Sequence, residues 1–406
     1  MNRRLDQLHS YPFAKLKTLL SDVSPAAGKP AIALTVGEPQ HAPPTQVGQA
    51  LIEGLDELNK YPATQGQGGL RKAIAEWLGR RYALPRNSVD ENTQLLPVQG
   101  TREALFAIAQ TVVCAGGGSG EKPLVILPSP FYQIYEGAAI MAGAEPLYLP
   151  CLEAEGFVPQ IERITAAQWR RCQLVYVCSP SNPTGAVLSS EFYQRLLTLA
   201  DQYDFVVASD ECYSEIYSDE SQPPVGLLQV CQQLGREDFS RCLVFNSLSK
   251  RSNLAGLRSG FVAGDAELIA AFLRYRTYHG SAMPLHHQRA SIAAWGDELH
   301  VQENRRLYRE KMAAVLPLLS ARLPLAAPQA GFCLWLPTPI DDEQFTRQLY
   351  CDQNLQVLPG RYLARSVAEG NPGVQRVRIA LVEPLAVCLE AAERIIAQVE
   401  KIESGV

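Results

Sequence analysis

The sequence has no uninterrupted apolar run of about 18 residues, the length a helical membrane span needs. Its start, Met1 to Ser10, is polar and charged, so neither a span nor a secretion signal is expected and the chain reads as cytoplasmic. Charge of one sign is also missing. The 37 Lys and Arg against 42 Asp and Glu leave a net charge of -5, with no basic run. That balance offers no footprint for nucleic acid or an anionic membrane, and small molecules become the expected partners. The 10 cysteines include no C-x-x-C pair and accompany no histidine cluster, so no metal site or disulfide framework is expected. Cys178, Cys242, Cys333 and Cys388 stand in apolar or helical surroundings and read as buried thiols. Internal repeats are absent, and the one low-complexity piece, Gly116 to Gly120, lacks the lysine and hydroxyl of a P-loop. It reads as a flexible turn. A second cluster, Gly66, Gly68 and Gly69, follows no strand, which removes support for a dinucleotide fold.

What is present is enough apolar sequence for a large core. With 406 residues, 47% hydrophobic and 19% charged, a large domain plus a smaller one is expected, with a cleft between them. Short Val- and Ile-rich runs at Leu124 to Leu127, Leu174 to Cys178, Phe205 to Ala208, Leu243 to Phe245 and Gly260 to Ala263 predict buried strands. Helical stretches such as Thr101 to Val113 and Glu191 to Tyr203 lie between them, the alternation of an α/β, mainly parallel sheet covered on both faces. The last hundred or so residues change character: a helix through Asn304 to Leu319, strand-like Phe332 to Leu336 and Val377 to Val382, then a closing amphipathic helix. Leu385, Cys388, Leu389, Ala392, Ile395, Ile396, Val399 and Ile402 form its apolar stripe. The expected division is 1–45 (N-terminal arm and part of the small domain), 46–290 (large domain) and 291–406 (small α+β domain).

Four segments follow predicted strands or open helices at strand ends, where open α/β sheets bind ligands. Ser247-Leu248-Ser249-Lys250, with Arg258 eight residues on, gathers two hydroxyls and a guanidinium suited to a phosphate dianion, beside an amine able to condense with an aldehyde. Taken alone, the lysine would simply be solvated. Asp210-Glu211-Cys212-Tyr213 offers a carboxylate for a pyridinium nitrogen and a phenol for the ring's oxygen, or merely a capped turn. In Ser179-Pro180-Ser181-Asn182-Pro183-Thr184-Gly185 an asparagine stands between two prolines as a rigid donor, or as plain turn chemistry. Gly100-Thr101-Arg102 opens a helix whose free N–H groups would bind phosphate, or would be an ordinary cap.

Together these residues resemble the class I and II aminotransferases of the fold-type I pyridoxal phosphate superfamily, over nearly the whole chain. V-G-E-P around Gly37, Y-P-A-T-Q-G-Q-G-G-L-R from Tyr61, G-T-R at Gly100, P-F-Y-Q-I-Y from Pro130, S-N-P-T-G, D-E-C-Y, S-L-S-K and V-R-I at Arg378 carry the likeness. The resemblance implies a seven-stranded, mainly parallel large-domain sheet and pyridoxal 5'-phosphate as cofactor. It implies that Lys250 holds the cofactor as a Schiff base and shuttles the proton, that Asp210 meets the pyridine nitrogen, and that Asn182 and Tyr213 meet the phenolic oxygen. Gly100, Thr101, Arg102, Ser247, Ser249 and Arg258 fall to the phosphate side and Tyr132 to stacking on the ring. Tyr61 would reach the phosphate of a neighbouring subunit, which implies a homodimer. Arg378, with Gly37 and Asn182, would take the substrate's α-carboxylate; unaided, Arg376 and Arg378 read as one solvated face of a strand opposite Val377, Ile379 and Leu381.

Y-P-F-A-K-L, A-S-D-E-C-Y-S-E-I-Y, S-L-S-K-R-S-N-L-A-G-L-R-S-G-F and R-T-Y-H-G-S-A-M-P-L are similar to the N-succinyl-L,L-diaminopimelate aminotransferase subfamily. That likeness implies amino transfer from glutamate to N-succinyl-2-amino-6-oxopimelate in lysine and diaminopimelate biosynthesis. Relatives acting on aspartate, kynurenine or methionine share much of the frame, and a carbon-sulfur β-lyase would need the same cofactor residues. A non-catalytic sensor domain is disfavoured, because the pattern begins by Gly37 and leaves no room ahead of it for a helix-turn-helix. The distal end of the long anionic substrate is expected near Tyr278 to Met283 and near Tyr11 to Phe13, unless the latter are interface anchors.

Overall fold

A computed structural model describes residues 1–116, 121–280 and 282–405. Residues 117–120 of the Gly116 turn and Ser281 of the Tyr278 stretch lie outside the described residues. The first strand, β1 (Ile32–Ala33), is short and pairs later in the chain. Seven strands then build the main sheet: β2 (Leu95–Val98), β3 (Leu124–Ser129), β4 (Glu145–Pro150), β5 (Cys172–Cys178), β6 (Val206–Asp210), β7 (Cys242–Ser247) and β8 (Gly260–Gly264). Their spatial order is β2-β8-β7-β6-β5-β3-β4, and only β8 runs against its neighbours. Five of these strands follow the predicted runs; β2 and β4 were not predicted.

Alternate residues of the strands feed two cores, as a sheet covered on both faces requires. Ile126, Val175, Val207, Val244 and Phe261 pack on one side with Ile74, Trp77, Leu196 and Trp295. Val125, Leu127, Leu174, Ala208 and Phe245 pack on the other with Leu105, Ile108, Tyr135 and Phe272. The helix Leu285–Gly296 spans residue 290 and still gives Ala290, Ala294 and Trp295 to the first of these cores.

A third core lies apart from the main sheet. It is built on β9 (Cys333–Pro337), β10 (Leu355–Gln356), β11 (Leu358–Pro359) and β12 (Arg376–Ala380), with β12 antiparallel to both β9 and β11. Cys388, Ala392, Ile395 and Val399 of the helix Leu385–Glu403 are buried in it, and Leu389, Ile396 and Ile402 pack partly against it, as the stripe predicts. Ile32 and Leu34 join this core and β1 pairs with β10, so the N-terminal segment completes the C-terminal unit. No helix among the described residues is long and apolar enough to cross a membrane.

Candidate active site

Because β2, β5, β6 and β7 run in one direction, their C-terminal ends meet at one edge of the sheet. Asp210 ends β6, Ser247 ends β7, Ser179 follows β5, and Gly100 follows β2 two residues on. A cavity of about 610 Å³ opens there, and Thr101, Arg102, Tyr132, Asn182, Asp210, Tyr213, Ser247, Ser249, Lys250 and Arg258 all line it. Gly37 and Arg378 line it as well. Of the predicted residues, Gly100 sits just behind the wall and Tyr61 lies away from it, fully exposed.

On one side the helix Thr101–Val112 points its N-terminus at the cavity. Gly100 caps it at φ +82°, and a Cβ there would collide with Arg258 Nη2. Glycine is therefore what lets the Arg258 guanidinium lie against the helix start. That guanidinium donates to the Ala255 carbonyl at 2.8 Å. Thr101 Oγ1 is 3.1 Å from the Cys212 thiol, which burial pushes well above its ordinary pKa and so keeps protonated. The three hydroxyls of Thr101, Ser247 and Ser249, a guanidinium and free N–H groups of a helix form a donor set for a dianionic phosphate.

At the floor, Asp210 is buried, and among the described residues no basic side chain pairs with it. Tyr135 Oη donates to its Oδ2 at 2.6 Å, and the Cys212 N–H to its Oδ1 at 3.2 Å. Burial nevertheless pushes the carboxyl above the usual carboxylate range. A buried anion facing a cavity without a cation fits a protonated ring nitrogen, which would bring its charge back toward the ionised form. Tyr135 was not singled out from the sequence; its place three residues after Tyr132 in one helical turn is the signal that could have found it. Tyr132 accepts from Arg102 Nε at 2.7 Å, which fixes the ring in the cavity wall.

Lys250 lies in the short helix Leu248–Arg251, and its Nζ donates to the Gly37 carbonyl. Burial lowers its pKa to about 8, so a usable share of the amine is neutral near physiological pH. The Phe332 ring, which the sequence pattern did not mark, lies 5.6 Å from Nζ and packs edge-on against Tyr213.

Arg378 is buried rather than part of a solvated face. Its Nη1 donates to Asn182 Oδ1 at 3.2 Å and its Nη2 to the Thr35 carbonyl at 2.6 Å, while Nε has no partner among the described residues. Arg376, on the same strand, instead pairs with Glu153 at 2.6 Å. The Asn182 carbonyl is thus engaged, which leaves its NH2 to donate into the cavity. Tyr11, Pro12 and Phe13 line the same cavity, with Gln133, Leu358 and Leu363. Neither Tyr278 nor Met283 does: Tyr278 is exposed, and Met283 is buried in the large-sheet core.

The residues present therefore fit pyridoxal phosphate on three independent counts: a phosphate donor set, an unpaired buried carboxylate and a buried amine. Comparison with known proteins agrees. The aminotransferase class I and II family matches residues 29–395. An aminotransferase from Neisseria meningitidis Z2491 superposes with a TM-score of 0.93 at 50% identity, over 98% of this chain and 100% of that one. A probable N-succinyldiaminopimelate aminotransferase from Thermus thermophilus superposes with a TM-score of 0.83 at 26% identity, over 95% and 100%. LL-diaminopimelate aminotransferase of Aquifex aeolicus (strain VF5) is 31% identical over 97% of each chain. The chain belongs to the class I and II aminotransferases, which use pyridoxal phosphate to move amino groups between amino acids and 2-oxo acids.

Proposed function

We propose that this aminotransferase serves the diaminopimelate branch of lysine biosynthesis, aminating N-succinyl-2-amino-6-oxopimelate with glutamate as donor. The observation that carries the reading is the further lining of the cavity, in which Tyr11, Pro12, Phe13, Gln133, Leu358 and Leu363 join the residues assigned to the cofactor and the α-carboxylate. Apolar side chains there suit a methylene chain, and Arg102, which has no carboxylate partner among the described residues, suits its distal anions. The Thermus thermophilus enzyme of that name supports the succinylated substrate. Relatives named LL-diaminopimelate aminotransferase favour a second reading, in which the unacylated framework is the substrate.

When bound, pyridoxal phosphate supplies an electron sink for the substrate's Cα–H bond. Lys250 Nζ, as a neutral amine, would take up the proton of the substrate's Cα–H bond and deliver it to the adjoining cofactor carbon. Asp210 would pair with the protonated ring nitrogen, and Arg378 with Asn182 would hold the α-carboxylate. The chain acts as a cytoplasmic homodimer, with the exposed Tyr61 reaching the phosphate site of the partner.

A panel of 2-oxo acceptors with glutamate as donor tests the substrate. The succinylated acceptor should give the highest kcat/KM. A higher value for the unacylated framework transfers the assignment to the second reading, and one for an unrelated acceptor ends both. Pyruvate release from cystathionine would indicate β-lyase chemistry. Lys250→Ala should retain cofactor but lose the linkage that borohydride reduces; a linkage that persists would refute the role of Lys250.

A further inference from the structure

Behind the cavity a line of buried polar groups ties together three segments of the site. Asn304, on the helix Leu299–Ser320, donates through Nδ2 to the backbone carbonyls of Lys250 at 3.0 Å and Arg251 at 3.2 Å. Its Oδ1 lies 2.8 Å from His41 Nδ1, and His41 Nε2 lies 2.8 Å from Lys311 Nζ. Lys311, two turns along the same helix, also donates to the Val382 carbonyl at 3.0 Å, just beyond the strand that carries Arg378. His41 itself follows the Val36–Glu38 segment, whose Gly37 carbonyl accepts from the Lys250 amine.

With Lys311 charged, the roles in this line follow from its neighbours. Asn304 spends its amide hydrogens on two carbonyls, so its oxygen accepts and His41 Nδ1 carries the proton. An ammonium at Lys311 only donates, so His41 Nε2 must accept and the ring must be neutral. An aromatic column runs alongside: His41 against Tyr308 at 4.5 Å, Tyr308 stacked on Phe332 at 4.9 Å, and Phe332 facing Lys250.

We propose that His41, Asn304 and Lys311 are positioning residues that hold the Lys250 turn, the Gly37 segment and the Arg378 strand in register, and that protonation of His41 breaks the register. The charged groups that act on the ring are Lys311 and Glu303 of the facing helix, with Glu310 of that helix lining the same small cavity and Glu383 acting on Lys311. Burial, reinforced by Lys311, holds His41 below its ordinary pKa. A small cavity of about 240 Å³, lined by Gln40, His41, Glu310, Lys311 and Val382, gives solvent protons access to the pair.

The proposal rests on Lys250 as the cofactor lysine, which the borohydride experiment decides separately. His41→Phe keeps the stacking on Tyr308 and removes both hydrogen bonds; His41→Gln keeps one donor and one acceptor. In the holoenzyme with glutamate alone, His41→Phe should lower the single-turnover rate about 10-fold or more. It should also shift the pH midpoint of the cofactor's absorbance, while leaving cofactor affinity near wild type. His41→Gln should recover most of the rate and lack the acid limb that His41 protonation gives the wild-type kcat/KM profile. Should His41→Phe not fold, Asn304→Asp, which accepts from His41 but cannot donate to the two carbonyls, should show the same loss and shift. Wild-type rates and absorbance midpoint in the folded variant, or equal losses in His41→Phe and His41→Gln, would overturn the proposal.

Discussion

Tyr135→Phe removes one oxygen from the floor of the cavity and little else. The ring is fully buried and stacks on Tyr176 at 4.7 Å, contacts that phenylalanine retains. What is lost is the 2.6 Å hydrogen bond to Asp210 Oδ2. A hydrogen bond to a charged group contributes about 1.5–3 kcal/mol, and the orphaned oxygen stays buried. If that energy supports the carboxylate during turnover, kcat/KM should fall roughly ten- to a hundredfold. The direction with pH follows from the same bond. Tyr135 favours ionised Asp210 against the upward push of burial, so its removal raises that pKa further and the deficit should deepen as pH falls. The assay is the single-turnover rate as a function of glutamate concentration, followed by cofactor absorbance across the neutral range. Cofactor dissociation should be measured on the same samples. A variant with wild-type kcat/KM and only a lowered Tm would refute the reasoning and reduce Tyr135 to a space-filling role.

Lys250 should leave a signature on the cofactor-free protein: with its amine near 8 against an ordinary 10.5, the folded chain binds fewer protons than the unfolded one between those values. Stability should therefore rise with pH through that window by about 3 kcal/mol, and urea melts of Lys250→Met should lack the rise. Arg378→Lys keeps the charge but loses the planar fork, so KM for the α-amino acid should rise about tenfold or more while cofactor affinity stays unchanged, as titration can show. Gly100→Ala puts a Cβ against Arg258 Nη2 at a backbone conformation open almost only to glycine, a cost of about 1–3 kcal/mol that should appear as weaker cofactor binding in equilibrium dialysis.

Most of the residues that carry chemistry were legible because they stand just after an apolar run, a position that strand periodicity exposes. Lys250, Asp210 and Asn182 were found that way and Thr101 as the opening of a predicted helix, and one cavity gathers them. The two strands that escaped notice are the edges of the main sheet, β2 and β4, and both contain proline: Pro97 in the first, Pro146 and Pro150 in the second. Proline argues against a central strand but is tolerated where one side makes no ladder bonds, so the feature that hid them also explains their place. Arg378 could not be read from its own strand, since the alternation of Arg376 and Arg378 looks the same whether that face meets water or another domain. What buries it is Asn182, 196 positions away in the chain. The Tyr278 stretch does not line the cavity of its own chain, and its sequence could not say so: the end of a long helix gives no hint of which neighbour its exposed tyrosine faces.

If Arg378 takes the α-carboxylate as proposed, its Nε, unpartnered among the described residues, would work as a filter. Its guanidinium is already buried and held by Asn182 and the Thr35 carbonyl, so a ligand need not bear the cost of ordering it. A molecule bringing a carboxylate completes the side chain's bonding. One without it, a simple amine or an ester, would close the cavity over a buried cation with a donor still open. Discrimination for amino acids over amines is then set less by attraction to the right ligand than by the penalty attached to the wrong one.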